Sequence, residues 1–299
     1  MGLGVGLHQL RMKKHYLWAS IALSLNFLGC KDQPEQIPAY LEIKPFTVNA
    51  EGGTDWQKIT EAYVYVNREY LGAYSLPASV PVLAAGEALV YAYPGVKENG
   101  ILSTPNIYPF LLRHTQTVTL TGGQSMTIQP TTSYDPDTRF PWALDRTTFD
   151  GSSSIVFQNR DSDENSNYTL SADGAFSGRS LLMQVDSLHS SMLIATEPVV
   201  LPTDKRQVWL ELQYKNDVVF EAYLLGKTGA GPERTQALFL FNKKEEWNKI
   251  YLNLTDLLVQ SQEENYRIGF FVSLPRNEAG KFTQTAGSVR IDNLRLANF

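Results

Sequence analysis

The sequence predicts an all-β protein made of two consecutive β-sandwiches, the second of jelly-roll type. Three observations support this prediction: apolar and polar residues alternate in many short segments, turn-forming residues separate those segments, and helical periodicity is almost absent. Short strands at this spacing are typical of sandwiches. The length of 299 residues is enough for two domains of ordinary size.

The first 29 residues have the three-part composition of a secretory signal. Arg11, Lys13 and Lys14 form a basic cluster, and residues 17–29 form an uncharged, mostly apolar run. About 13 residues are too few to cross a membrane comfortably, so we expect residues 1–29 to be a signal peptide that is removed. Met12 is an alternative start, because Met12-Lys13-Lys14 reads like the beginning of such a signal.

Cys30 is the only cysteine of the chain and lies where the signal would be cleaved. The segment Phe27-Leu28-Gly29-Cys30 resembles a bacterial lipobox, which implies a lipid on Cys30, palmitate among its acyl chains, and an outer-membrane anchor. Residues 30–38 are then a lipidated tether. Lys31-Asp32 resembles the export signal of Bacteroidota lipoproteins, so we expect the protein to face the cell surface, with a periplasm-facing location as the alternative.

Eight strands are predicted in residues 39–130, which we expect to form the first sandwich. They are predicted at 39–46, 59–66, 70–76, 79–83, 88–93, 108–112, 116–120 and 125–129. In the second of these strands, Tyr63 and Tyr65 share one face, and Val64 and Val66 share the other. The tyrosine face either belongs to the core or docks the second domain or a partner.

Residues 131–141 are predicted as a linker, because three prolines and little apolar content mark the stretch from Pro130 to Pro141. Residues 142–299 contain ten predicted strands, which fits a jelly roll. These strands are predicted at 154–158, 168–170, 180–185, 192–195, 207–214, 218–225, 235–241, 249–254, 266–273 and 287–296. A short helix is predicted over 255–262, with Thr255 or Asp256 as its cap.

Three segments of the second half carry a family resemblance. They are residues 176–182 (FSGRSLL), 247–252 (WNKIYL) and 289–296 (VRIDNLRL). They resemble galactose-binding-like jelly rolls, a fold that includes many carbohydrate-binding modules. The first sandwich, with YVN at residues 65–67 and YLG at 70–72, resembles a small Ig-like or transthyretin-like module. The two together resemble surface lipoproteins of Bacteroidota, although a fold resemblance is only an analogy about function.

The same resemblance implies a calcium site. Jelly rolls of this type often hold Ca²⁺ with an Asp of the closing strand, and Asp292 matches that position. Asp150 falls where the opening strand often supplies a second acid, and Ca²⁺ prefers such oxygen ligands. The alternative is that Asp292 only hydrogen-bonds a neighbouring loop.

Trp209 and Tyr223 are the candidate ligand-binding residues for a sugar. Alternation in residues 208–215 places Trp209 on the same face as Glu211, Gln213 and Lys215, unlike a simple core tryptophan. Aromatic rings stack on the C–H faces of sugars while polar groups bind the hydroxyls. The alternative is that Trp209 packs under a loop or against the first domain.

Composition and motifs argue against nucleic acid and against catalysis. The net charge is −5, and removal of residues 1–29 takes away three basic residues and no acid, so the mature chain is more acidic still. No HExxH, GxSxG, GxxxxGK[ST] or GxGxxG motif is present. We therefore expect a non-catalytic lipoprotein that is a docking subunit of a cell-surface protein assembly. The alternative is a lipoprotein that captures polysaccharide through the jelly roll.

Overall fold

The computed structural model describes residues 35–50 and 53–299. The predicted signal peptide and the predicted lipidation site, Cys30, lie outside the described residues. From Pro38 to Phe299 the chain forms one compact unit. Strands dominate it, so the predicted all-β fold class is confirmed.

The N-terminal sandwich contains the first ten strands. They are β1 (Ala39–Ile43), β2 (Thr47–Val48), β3 (Glu61–Val66), β4 (Glu69–Ser75), β5 (Ala78–Val82), β6 (Gly86–Lys97), β7 (Pro105–Ile107), β8 (His114–Leu120), β9 (Ser125–Ile128) and β10 (Thr131–Thr132). One sheet has the order β5-β1-β9, with β1 and β9 parallel. The facing sheet has the order β4-β3-β6, and both β7 and β8 pair with the far edge of β6.

Alternation decides which side of each strand enters this sandwich. Val64 and Val66 on β3 and Val90 on β6 point inward and are buried, as is Leu41 on the opposite sheet. Burying a branched aliphatic side chain contributes about 1.5–3 kcal/mol, so this face is fixed as the core. The tyrosines between these residues consequently lie on the outer face of the sheet.

The second sandwich is a jelly roll of two five-stranded antiparallel sheets. Its strands are β11 (Phe157–Asn159), β12 (Thr169–Ser171), β13 (Ser180–Asp186), β14 (Ser191–Thr196), β15 (Val208–Asn216), β16 (Phe220–Lys227), β17 (Arg234–Phe241), β18 (Lys244–Asn253), β19 (Asn265–Ser273) and β20 (Ala286–Asn298). The sheet orders are β11-β14-β19-β16-β17 and β12-β13-β20-β15-β18. A large hydrophobic core fills the space between them.

Two short helices accompany the jelly roll, α1 (Leu144–Thr147) and α2 (Thr255–Ser261). The prediction of a helix near 255–262 is confirmed. Neither Thr255 nor Asp256 caps α2. Instead, the Asn253 side-chain oxygen accepts the Thr255 N–H at 3.1 Å, and the Thr255 hydroxyl accepts the Val208 N–H at 3.1 Å. The Thr255 side chain therefore ties the helix to β15.

The two sandwiches meet at a third cluster of buried residues, called here the junction. It contains Val96, Tyr108, Phe110, Leu111, Trp209, Tyr251 and Ala297. The strand predicted at 108–112 is wrong: β7 ends at Ile107, and Tyr108 and Phe110 follow in an irregular segment. Their rings point into the junction, so the apolar alternation reflects packing against the jelly roll.

Residues 131–141, predicted as a linker, are tied down along their length. Thr131 and Thr132 form β10, which pairs with β2. Tyr134 forms an isolated bridge with Leu111, and Arg139 forms another with Asn298 on the closing strand. The prolines therefore shape an ordered connection along the junction.

None of the helices in the described part of the chain is long and apolar enough to span a bilayer.

Candidate functional site

The outer face of the β4-β3-β6 sheet carries five tyrosines and one arginine, called here the tyrosine face. They are Tyr63, Tyr65, Tyr70, Tyr91, Tyr93 and Arg113. Strand register brings them together, since Tyr63 lies opposite Tyr93 and Tyr65 lies between Tyr91 and Tyr70. Alternation within one strand predicts only that Tyr63 and Tyr65 share a face. The other tyrosines join them through the pairing of β3 with β4 and β6, which the sequence pattern does not predict.

Four rings of the tyrosine face, those of Tyr63, Tyr65, Tyr70 and Tyr93, contact one another without forming a plane. The Tyr65 centroid lies 5.0 Å from that of Tyr70 and 5.5 Å from that of Tyr93, with interplanar angles of 43° and 64°. The Arg113 guanidinium lies 4.6 Å from the centroid of Tyr91 and donates a hydrogen bond of 2.7 Å to the Tyr93 hydroxyl. Tyr70 is 50% exposed.

Three hydroxyls of this face make no hydrogen bond within the described residues: those of Tyr65, Tyr70 and Tyr91. The exposed Thr115 lies opposite Tyr91 on β8 and adds another hydroxyl. Ring faces and free hydroxyls therefore lie side by side on an open surface. Such a surface can stack against sugar C–H groups and also exchange hydrogen bonds with sugar hydroxyls.

Trp209, the predicted sugar-stacking residue, is 1% exposed. The predicted alternation is present, because Val208 and Leu210 enter the jelly-roll core while Trp209 points out of the sheet. Around Trp209 the outer face of that sheet is covered by the N-terminal sandwich, and the Tyr108 ring centroid lies 5.4 Å from that of Trp209. The binding role expected for Trp209 is therefore corrected: its indole is packed against the first sandwich and has no surface left for a sugar.

Tyr223, the other predicted ligand residue, lies on β16 in the opposite sheet. Its hydroxyl donates to the Glu221 carboxylate, and this hydrogen bond together with partial burial raises the pKa of Tyr223 to about 12. The structure thus places Trp209 and Tyr223 on different sheets, and they form no common groove.

The polar residues beside Trp209 form a buried charged cluster in the junction. Lys249 Nζ lies 2.8 Å from Glu211 Oε2, and the Tyr134 hydroxyl lies 3.0 Å from Glu211 Oε1. The Tyr108 hydroxyl also donates to Glu211. Burial alone would raise the pKa of Glu211, but the Lys249 and Arg295 cations outweigh burial and hold it below its ordinary value. This cluster fixes the two sandwiches to each other.

The structure does bring together Asp150 and Asp292, the predicted calcium ligands. Both face the loop 176–180: Asp292 accepts the Ser180 hydroxyl at 2.8 Å, and Asp150 accepts the Arg179 N–H at 2.6 Å. Gly178 lies so close that a Cβ there would be 1.9 Å from Asp150 Oδ1. Burial first, and the Asp150 charge in addition, raise the pKa of Asp292 to about 7.

Two carboxylates that repel each other at one loop, Asp292 buried and Asp150 exposed, fit the oxygen-only preference of Ca²⁺. The described residues contain no group of three or more His, Cys, Asp or Glu side chains placed to hold a metal. Further ligands would therefore have to come from backbone carbonyls or water.

Comparison with known proteins identifies no family. No protein-family description matches the chain, and no curated protein does either. Among solved structures, the enzymatically active domain of bacteriophage CBA120 tailspike protein 4 aligns with 59% of this chain at 14% identity and a TM-score of 0.41. This alignment covers 25% of the tailspike chain.

Two smaller structures align over most of their own length. TmCBM61 in complex with β-1,4-galactotriose aligns at 12% identity and a TM-score of 0.34, covering 54% of this chain and 99% of its own. The xylan-binding domain from CBM 22 aligns at 13% identity and a TM-score of 0.36, covering 55% and 96%. At TM-scores below 0.5, function must be argued from the residues of this chain.

Proposed function

We propose that this protein is a non-catalytic polysaccharide-binding lipoprotein and that its tyrosine face holds the ligand. The single observation that carries the proposal is the tyrosine face itself: five partly exposed rings, four of them in ring-to-ring contact, with free hydroxyls and Arg113 beside them. A cluster of aromatic side chains left open at a surface is typical of a binding site.

The site differs from the jelly-roll site expected from sequence. The part of the outer jelly-roll face around Trp209 is buried in the junction, so Trp209 cannot stack against a polymer. The tyrosine face belongs to the N-terminal sandwich and stays open. Because its rings are tilted relative to one another, it fits a single hydrated chain with independently oriented sugar rings better than a flat crystalline surface.

Tyr65→Ala and Tyr93→Ala test this proposal. We expect each substitution to weaken polysaccharide binding at least tenfold, because it removes a stacking ring and disturbs its neighbours. The measurement is affinity gel electrophoresis against a panel of soluble neutral and anionic polysaccharides. Tyr65→Phe should retain most of the binding, since the ring remains.

Tyr40→Ala is the matched control, because Tyr40 is 37% exposed but lies on β1 in the opposite sheet. It should bind like the wild type. A wild-type protein that no polysaccharide retards would contradict the proposal. In that case the second candidate, a docking subunit of an outer-membrane assembly, would take over, since tyrosine and arginine are also enriched at the centres of protein interfaces.

The proposed function includes a lipid anchor at the N-terminus of the mature protein. A lipid on Cys30 would hold the chain at the outer membrane, on the cell-surface side, with residues 30–38 as a tether. The net negative charge of the chain is repelled by anionic headgroups, so acyl chains rather than surface charge would keep it there. We further propose that Ca²⁺ held by Asp150 and Asp292 stabilises the jelly roll.

A further inference from the structure

A second open feature lies beside the tyrosine face. A cleft of about 420 Å³ opens where the N-terminal sandwich meets β17 and β18, which is within the size range of ligand-binding clefts. Five lysines line it, called here the lysine cleft: Lys58, Lys97, Lys243, Lys244 and Lys249. They come from three separate stretches of the sequence, around residues 58, 97 and 243–249, so only the fold brings them together.

Two of these lysines are neutralised within the protein. Lys97 pairs with the buried Glu61, and Lys249 pairs with Glu211 in the junction. These two ammonium groups therefore support the wall of the cleft and leave little charge for a ligand.

The other three lysines have no such partner. Lys58 donates to the Asn248 side-chain oxygen, and Lys243 donates to that of Gln284. Within residues 35–50 and 53–299, no carboxylate lies within 4 Å of the ammonium groups of Lys58, Lys243 or Lys244. Burial, and then the nearby Lys244 charge, lower the pKa of Lys58.

Mutual repulsion between lysines on an acidic protein costs stability unless something else is gained. The Lys58 backbone is also held in place, because its N–H donates to the Tyr251 hydroxyl at 2.8 Å. The Lys58 backbone is thus fixed at the wall of the cleft.

Strand register connects this cleft to the tyrosine face. Every second residue of β6 points to the same outer face of the sheet. These residues include Tyr91, Tyr93, Gly95 and Lys97. Tyr93 and Lys97 are therefore about 13 Å apart along the strand. A polymer lying on the tyrosines along β6 would reach Lys97, at the wall of the lysine cleft, without changing direction.

We propose that the lysine cleft recognises the anionic groups of an acidic polysaccharide, its carboxylates or sulfates, whose sugar rings lie on the tyrosine face. This inference rests on the proposed function and narrows its ligand class. Lysine binds as a point charge without the fixed fork of arginine, so carboxylate and sulfate share the chemistry required here.

The test compares matched anionic and neutral polymers on the full mature protein. Polygalacturonate is compared with its carboxyl-reduced form, and dextran sulfate with dextran, by affinity gel electrophoresis at two salt concentrations. We expect at least one anionic polymer to bind at least tenfold more tightly than its neutral counterpart. This preference for the anionic polymer should decrease as the salt concentration rises. A preference for polygalacturonate indicates that the cleft binds carboxylates, and a preference for dextran sulfate indicates that it binds sulfates.

The variant is Lys58→Gln/Lys244→Gln, and the control is Lys205→Gln/Lys227→Gln, which removes two exposed lysines that do not line the cleft. The first should lose the anionic preference, about tenfold, while the control should keep it. Equal binding of charged and neutral polymers, abolished by Tyr65→Ala but not by the lysine changes, would overturn this inference and leave the proposed function intact. Retardation by no polymer would overturn both.

Discussion

At the scale of the residue, Glu211 shows how the junction is specified. It is a fully buried carboxylate on β15, held by Lys249, Tyr108 and Tyr134, with the Arg295 charge nearby. Removing charges from water costs several kcal/mol per ion, so such a cluster is stable only when every member is satisfied. The tyrosine hydroxyls come from the N-terminal sandwich and its connection, so the carboxylate is satisfied only when the two sandwiches are docked.

Glu211→Gln tests this role. The substitution keeps the shape but leaves Lys249 uncompensated in the interior, so we expect a loss of about 3–5 kcal/mol in the free energy of unfolding. At roughly 2–4 °C per kcal/mol, thermal denaturation should shift downward by about 10 °C. Glu164→Gln, at an exposed loop position, is the control and should change little.

The same residue predicts a pH dependence. The folded-state pKa of Glu211 is lowered, so its stabilising contribution is present above the unfolded-state pKa and is lost as pH falls through the folded value. The wild type should therefore lose stability below about pH 4.3 more steeply than Glu211→Gln does. Parallel pH curves for the two proteins would refute the assignment.

At the scale of the element, the loop 176–180 joins two distant acids. Gly178 has a φ of +47° and no side chain, which lets the loop pass against Asp150. Asn293 follows Asp292 with a φ of +46°, where the pairing of β15 with β20 shifts register. This bulge interrupts the regular alternation of the strand beside the carboxylate.

Chelation tests the proposed calcium. If Ca²⁺ relieves the repulsion between Asp150 and Asp292, EDTA should lower the denaturation temperature of the wild type by several degrees, and added Ca²⁺ should restore it. Asp292→Asn should show no response to either reagent. An unchanged denaturation temperature of the wild type after exhaustive chelation would contradict the calcium proposal. Asp292 would then serve only as a hydrogen-bonding residue of the loop.

At the scale of the whole molecule, the two sandwiches differ in which of their outer faces is open to solvent. The jelly roll buries one sheet face against its neighbour, and the N-terminal sandwich leaves its tyrosine-bearing face open. The lysine cleft lies where the two meet, so its shape depends on their docking. A substitution in the junction, such as Glu211→Gln, is therefore expected to alter the shape of the lysine cleft as well.

Cys30→Ser tests the anchor at this scale. Without a thiol to acylate, the protein should leave the membrane fraction and appear in the soluble fraction of the cell envelope. Fractionation followed by immunoblotting measures this directly. Firm retention of the variant in washed outer membranes would contradict the lipoprotein proposal.

The fold class and the buried face of most strands follow from the residue pattern alone. Alternation is a local property, because neighbouring side chains on a strand point to opposite sides whatever the strand pairs with. For this reason Val64 and Val66 could be separated from Tyr63 and Tyr65, and Trp209 from Leu210.

What covers each outer face depends on how the strands and the two sandwiches pack together. Pairing of β3 with β6 assembled the tyrosines, and docking of Tyr108 covered Trp209. Lys58 and Lys244 meet although 186 positions separate them in the sequence. Such contacts depend on strand register and on the fit between sandwiches, which arise from the whole set of packed side chains and leave no periodic signal along the chain.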